Sequence, residues 1–223
     1  MRKEIKILVL IGVVVVIAAV VGARYYRESA QKERKSTVAF GPLVRQDSPN
    51  LGPADAQVTL VEFLDPECES CAAFYPTVKQ ILKDYDGKVR LVVRYMTFHQ
   101  NSALAAAFTE AAGEQGKYWE MQERLFRRQP EWGERHGEPH YTPSVPPAAL
   151  FEKYAMELGL DVEKIKSAVA QNRYAAKLER DRSDGQSLGV RQTPTFFVNG
   201  RQLARFSEQD LRSLIDEELG GPR

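Results

Sequence analysis

Two cysteines, Cys68 and Cys71, are the only ones in a chain of 223 residues, and they fall where an apolar strand runs into an amphipathic helix. Val58-Thr-Leu-Val-Glu-Phe-Leu64 predicts a strand buried on both faces, because apolar residues occupy both sets of alternate positions. Asp65-Pro66 turns the chain. Cys68-Glu-Ser-Cys71 then opens a helix predicted over 67–85, with Phe74, Val78, Ile81, Leu82 and Tyr85 along one face. A cysteine at a helix N-terminus meets unpaired backbone N–H groups and the positive end of the helix dipole. Both favour the thiolate, which is the species that attacks disulfides. Cys71, one turn on, is placed to close a disulfide with Cys68. The pattern points to thiol–disulfide exchange, with a structural disulfide or a partial metal site as the plainer alternatives.

Strand signals frame a helical middle. Lys88–Tyr95 predicts a second strand after the Asp86-Gly87 turn. Asn101 is placed to cap an alanine-rich helix to about 112, followed by helices over 117–129 and 147–158, one capped by Asp161, and a polar helix over 173–188. The charged stretch Lys177–Asp184 reads as a solvated face, and 129–145 reads as a loop. Thr195–Val198, the Asn199-Gly200 turn and a strand over 202–206 form a hairpin, and Ser207 caps a last helix carrying Leu211, Leu214, Ile215 and Leu219.

The N-terminus differs from the rest. Ile7–Val21 carries no charge and follows Arg2, Lys3 and Lys6. Extended over 5–23, it is just long enough to span a bilayer, so 1–23 is read as a transmembrane signal-anchor, with a cleaved signal peptide as the alternative. Residues 24–52, basic and then rich in Pro, Gly and Ser, read as a linker with one short extended piece around 38–44. Basic residues flank the apolar run on both sides, so charge alone does not orient it. Disulfide chemistry places the folded part outside the cytoplasmic membrane, since such bonds persist in oxidising compartments. A net charge of +1 gives no bulk attraction to nucleic acid.

These motifs together resemble the membrane-anchored, DsbA-like branch of the thioredoxin superfamily. The resemblance covers about 40–220. Val61–Cys71 is similar to that family's strand and active site. Pro76 resembles its helix-kinking proline, and Arg191-Gln-Thr-Pro-Thr-Phe-Phe-Val-Asn-Gly200 resembles its cis-proline segment. The resemblance implies an α/β fold, thioredoxin-like, interrupted by an α-helical insertion over about 99–189 of a domain spanning 53–220. It also implies that Cys68 attacks, Cys71 resolves and Glu62 exchanges a proton with Cys71. Thr193 and Pro194 would form a cis peptide that receives an extended substrate. No cofactor is expected beyond the redox-active Cys68–Cys71 pair, and no metal. The implied partners are unfolded or extended cysteine-containing clients and a membrane redox partner that resets the pair.

One departure bears on direction. Strong oxidants of the family carry a proline and a histidine or aromatic between the cysteines; here the pair is Glu69-Ser70, with Glu67 upstream. Acidic neighbours oppose a thiolate. The expected potential therefore lies between roughly −120 mV for a strong oxidase and roughly −270 mV for thioredoxin. A reductase or isomerase, or a non-catalytic tethered client-binding module, remains the alternative. His136 and His140 offer a zinc alternative, too far from Cys71 for a compact finger. His99 reads as a loop or interface residue, with a role near the thiols as the alternative, and Trp132 with Tyr141 as a packed surface loop, with a substrate-facing lip as the alternative.

Overall fold

The computed structural model describes residues 21–22, 40–134 and 143–220. A five-stranded sheet of order β1-β3-β2-β4-β5 forms the frame: β1 (Asn50–Leu51), β2 (Val58–Leu64), β3 (Val89–Tyr95), β4 (Thr195–Val198) and β5 (Arg201–Gln202). β2 and β3 are parallel, with Leu64 opposite Tyr95, and the other pairs are antiparallel. All seven residues of β2 are buried, because helices cover both faces. Leu60 and Leu64 point toward α2 (Glu69–Asp84), into a core shared with Val78, Ile81, Leu211 and Ile215. Val61 and Phe63 point the other way, into a smaller core with Leu43, Met96 and Val190.

Between β3 and β4 the chain is helical: α3 (Ser102–Gly113), α4 (Tyr118–Arg127), α5 (Gln129–Trp132), α6 (Pro147–Glu157), α7 (Val162–Ala170) and α8 (Ala175–Ser187). α3 to α7 close over a core of their own, with Phe108, Met121, Leu125, Trp132, Phe151 and Ile165 inside. This answers how an insertion of this length holds together: it buries its own apolar faces. The last helix, α9 (Glu208–Glu218), is capped as the sequence predicts, Ser207 Oγ accepting from Asp210 N at 3.0 Å.

Several expectations are corrected. Residues 40–52, expected as linker, belong to the folded domain. Residues 40–43 form a helical turn, α1, where an extended piece was expected; Leu43 is fully buried, and β1 pairs with β3. Arg45 also clamps Asp184 with two hydrogen bonds of 2.9 and 2.7 Å. Pro and Gly there mark turns within the domain.

The charged helix α8 is solvated on one side only: Glu179, Arg182 and Ser183 are exposed, while Lys177, Leu178 and Asp181 are buried. Asp181 is fully buried beneath Arg94, itself 0 % exposed, whose guanidinium also reaches Asp184 and the carbonyls of Pro42 and Leu43. Lys177 is buried against Glu110. Periodicity cannot reveal charges whose partners lie on distant elements.

The start of the expected loop over 129–145 is helix α5. Its Trp132 lies in the helical core and donates its indole N–H to Leu125 O at 3.1 Å. His136, His140 and Tyr141 lie outside the described residues. The second arm of the hairpin is only two residues long, and Phe206 is exposed rather than part of a strand.

The span expected over 5–23 lies outside the described residues apart from Val21 and Gly22. No helix among the described residues is long and apolar enough to cross a membrane.

Candidate active site

Cys68 is the N-cap of α2, with extended backbone (φ −71°, ψ 119°). Its sulfur lies over the amides of Ser70 and Cys71, too loosely for a formal capping hydrogen bond, yet close enough for their positive ends to favour the thiolate. The two cysteines are free thiols, Cys68 partly exposed and Cys71 buried. One turn of helix separates them, and their environments drive them apart. A hydrogen bond from Cys71, outweighing partial burial, brings Cys68 down to about 5, with the Thr193 side chain and the two amides assisting. Burial first, then the neighbouring Cys68 and Glu62, holds Cys71 well above an ordinary thiol.

Glu62 sits mid-strand in β2, opposite Val93 and Phe196, on the face that α2 covers. It is 4 % exposed, and burial, with the Cys68 charge adding, raises its carboxyl to about 8. A group so poised can hold or release a proton near neutral pH. From the other side, the Thr193–Pro194 peptide is cis, and the Cys68 thiol donates to Thr193 O at 3.3 Å. Beside Pro194 opens a groove of about 210 Å³, floored by Phe196 and Leu203 and rimmed by Arg191, Gln192 and Phe206. The structure therefore brings Glu62, Cys68, Cys71, Thr193 and Pro194 together at one end of the sheet. Pro76 lies inside α2, exposed and one turn beyond the pair. Among the described residues no cluster of three or more His, Cys, Asp or Glu side chains could hold a metal ion.

The acidic neighbours behave differently from the sequence expectation. Glu67 is buried and turned away from Cys68. Its carboxylate accepts from Asn101 N (2.6 Å), Asn101 Nδ2 (2.8 Å) and Glu134 N (3.1 Å), tying the cysteine turn to the insertion. Asn101 stands at the N-cap of α3 as expected, but its side chain makes no capping hydrogen bond and its amide donates to Glu67 instead.

Asp65, read only as a turn residue, and Ser102 escaped the sequence reading, and His99 was read chiefly as a loop residue. Asp65, fully buried, accepts from Glu67 N (2.8 Å), Phe98 N (2.7 Å) and the Ser102 hydroxyl, and binds His99 Nδ1 at 2.8 Å. Burial opposes its charge, but these bonds hold its carboxyl below the usual range. Only the pairing of β2 with β3 brings Asp65, His99 and Ser102 into contact, and sequence spacing does not contain it.

The Thioredoxin family matches residues 45–217, most of the chain. The chain belongs to that family, in its DsbA-like branch. Disulfide bond formation protein D of Bacillus subtilis is 29 % identical over 180 residues, covering 78 % of each chain. The oxidised crystal structure of BdbD from Bacillus subtilis superposes with a TM-score of 0.70 at 26 % identity, covering 83 % of this chain and 97 % of that one. The first of these is named for disulfide bond formation, and a thioredoxin-like oxidoreductase from Silicibacter pomeroyi superposes with a TM-score of 0.67 at 26 % identity, covering 83 % of this chain and 100 % of that one. A Na(+)/H(+) antiporter NhaA of Herminiimonas arsenicoxydans is 32 % identical over 221 residues, covering 96 % of this chain and 33 % of its own length. The chain thus spans about a third of that relative.

Proposed function

We propose that this protein is a thiol–disulfide oxidoreductase that donates the Cys68–Cys71 disulfide to cysteine-containing clients outside the cytoplasmic membrane. The observation that carries the reading is the placement of two thiols one turn apart, Cys68 partly exposed at the N-cap of α2 against the cis Thr193–Pro194 peptide and Cys71 buried, a setting that lowers the first thiol and raises the second. In the oxidising direction a client thiolate attacks Cys68 Sγ, forming a mixed disulfide and breaking the Cys68–Cys71 bond. Cys71 leaves as a thiolate and takes a proton from Glu62. A second client thiolate then attacks the client sulfur of the mixed disulfide, and Cys68 leaves as its stabilised thiolate. The client dithiol is oxidised and the pair is reduced. A membrane redox partner removes the two electrons and resets it. Thr193 and Pro194, with the groove beside them, receive the client as an extended strand. Residues 5–23 tether the domain to the membrane.

With the Glu67 carboxylate bound to Asn101 and the Glu134 amide, the Cys68 thiolate is set chiefly by Cys71, Thr193 and the helix amides. A more stable thiolate stabilises the reduced pair and makes the disulfide a stronger oxidant. The potential therefore belongs toward the oxidising end of the interval expected from sequence. Equilibration of the full chain against glutathione buffers tests this. A potential above about −180 mV supports a disulfide donor, while one near −250 mV or lower makes the protein a reductant. An undetectable redox transition would leave only a client-binding role.

A further inference from the structure

We propose that His99 is the charge-supplying residue of this site: an imidazolium, held by the Asp65 carboxylate beside the cysteine turn, that stabilises the Cys68 thiolate and so favours the reduced pair. The inference rests on the thiol–disulfide reading of Cys68 and Cys71.

The two residues between the cysteines, Glu69 and Ser70, carry no positive charge. β2 and β3 run parallel, end level at Leu64 opposite Tyr95, and are joined beyond that by Met96 N donating to Leu64 O at 2.8 Å. Cys68 lies four residues past Leu64, and His99 lies four residues past Tyr95. Both therefore stand above the same end of adjacent strands. Asp65 bridges them: its carbonyl accepts from Cys68 N at 3.1 Å, and its side chain takes the His99 ring at 2.8 Å and Phe98 N at 2.7 Å. The imidazole is 32 % exposed, whereas the Asp65 side chain is 0 % exposed. Asp65 is thus a buried anion three residues before the nucleophile, and alone it would oppose a second negative charge there.

Among the described residues, the other ionisable groups that couple to Cys68 or sit on the cysteine turn bring no cation. Cys71 is a buried thiol, Glu62 is neutral below about 8, and Glu67 is an acid occupied by Asn101 and Glu134. Around His99 stand Asp65, Cys68 and Glu67. The Asp65 hydrogen bond first, with the charges of Asp65, Cys68 and Glu67, raises its imidazole to about 9, so it is protonated at neutral pH. Coupling between two titrating groups is reciprocal. Whatever His99 does for the Cys68 thiolate, that thiolate does for the His99 proton.

This reciprocity allows a test on the unmodified full chain. Imidazole NMR titration of the reduced and oxidised protein should show His99 losing its proton at lower pH in the disulfide form, where no thiolate exists. Identical midpoints overturn the proposal. In parallel, His99→Gln should raise the Cys68 midpoint, read by thiolate ultraviolet absorbance, by about one unit. At a fixed glutathione ratio, the fraction of oxidised protein should rise about tenfold relative to reduced. His99→Lys, which keeps the charge opposite Asp65, should restore most of both. Equal shifts in the two variants, or none, overturn it. Failure of the underlying reading looks different: Cys68 of the unmodified protein would then titrate as an ordinary thiol with no glutathione equilibrium.

Discussion

The Cys68 thiol donates to the carbonyl oxygen of Thr193 at 3.3 Å, joining residues 125 apart in sequence at the tip of α2. That bond serves only the neutral thiol. Once the proton leaves, the carbonyl faces a like charge, while the Thr193 side chain still favours the thiolate. The two Thr193 contacts thus oppose each other, and Cys71 with the helix amides decides the balance. Alkylation of the reduced protein should therefore follow one titration with a midpoint near 5, carried by Cys68 alone. Thr193→Val keeps the carbonyl and removes the hydroxyl, and should raise that midpoint by roughly half a unit. Reactivity climbing only above pH 8 would contradict the assignment.

The same thiolate makes stability depend on redox state. A thiol whose folded pKa is depressed contributes stability that is present above its unfolded value near 8.5 and is lost as pH falls through about 5. Glu62 and His99 titrate in both redox states, so the difference between states isolates Cys68 and its couplings. Between pH 4 and pH 7 the stability of the reduced protein relative to the oxidised should rise by about 1–2 kcal/mol, after allowance for the partial exposure of Cys68, the cross-link itself adding an offset that does not titrate. Paired urea denaturations at the two pH values would show the change. A gap of the same size at both pH values would remove the thiolate as its source.

Much of this architecture was legible in the chain. β2 was readable from its two-faced apolar run, α2 from its period and the Ser207 cap from its spacing, because these signals are local. Glu62 was named through the family resemblance, and the two-faced apolar run around it agrees, since a carboxylate inside such a strand must be desolvated. His99 was not legible. Its meaning depends on Asp65, which reads as an ordinary turn residue, and on the level ends of β2 and β3. Lys177 and Asp181 were misread as surface for the same reason. Their partners arrive from α3 and β3, and no helical wheel contains them.

Glu62 yields a prediction whose sign can be worked out in two ways. Its folded pKa, about 8, lies above the unfolded value near 4.3, so the native state retains a proton that the unfolded chain gives up. Stability is therefore lost as pH rises from about 4.5 to 8, by on the order of 3–5 kcal/mol relative to Glu62→Gln. Catalysis should show the same group. At pH 7 Glu62→Gln should slow client oxidation about 100-fold, and the ratio of the two rates should shrink as pH passes 8. A ratio that does not change with pH would remove Glu62 from the proton transfer.

Arg94 is a structural pin. It donates to Asp181 at 2.9 Å, to Asp184 at 2.6 Å and to Leu43 O at 3.0 Å, all with its side chain fully buried. Even so, burial raises the Asp181 carboxyl despite its partners, so the ion pair is held in place at a desolvation cost. Arg94→Leu should lose about 3–5 kcal/mol, because a buried carboxylate and two carbonyls are left without their donor. Adding Asp181→Asn should recover part of that loss in chemical denaturation. A double variant no more stable than the single would mean that the guanidinium acts through packing on Phe63, over whose ring it lies at 5.5 Å.

Gly185 separates helix propensity from tertiary packing. It lies in the last third of α8, on a helical backbone where alanine would ordinarily be better by about 1 kcal/mol. A β-carbon there would collide with the Met96 sulfur and press on the Phe63 ring at 3.1 Å. Met96 can swing aside, but Phe63 is fully buried in β2 against Phe197, with ring centroids 5.9 Å apart, and has no room to move. Glycine at this position lets α8 approach the sheet closely enough for Asp181 to reach Arg94. Gly185→Ala should therefore destabilise the protein by about 1–3 kcal/mol, and Gly185→Ala combined with Met96→Ala should recover part of it. Thermal or urea unfolding decides the matter. A stabilised single variant would mean that α8 can lift from the sheet without loss, and the buried pair beneath it would then not be fixing its position.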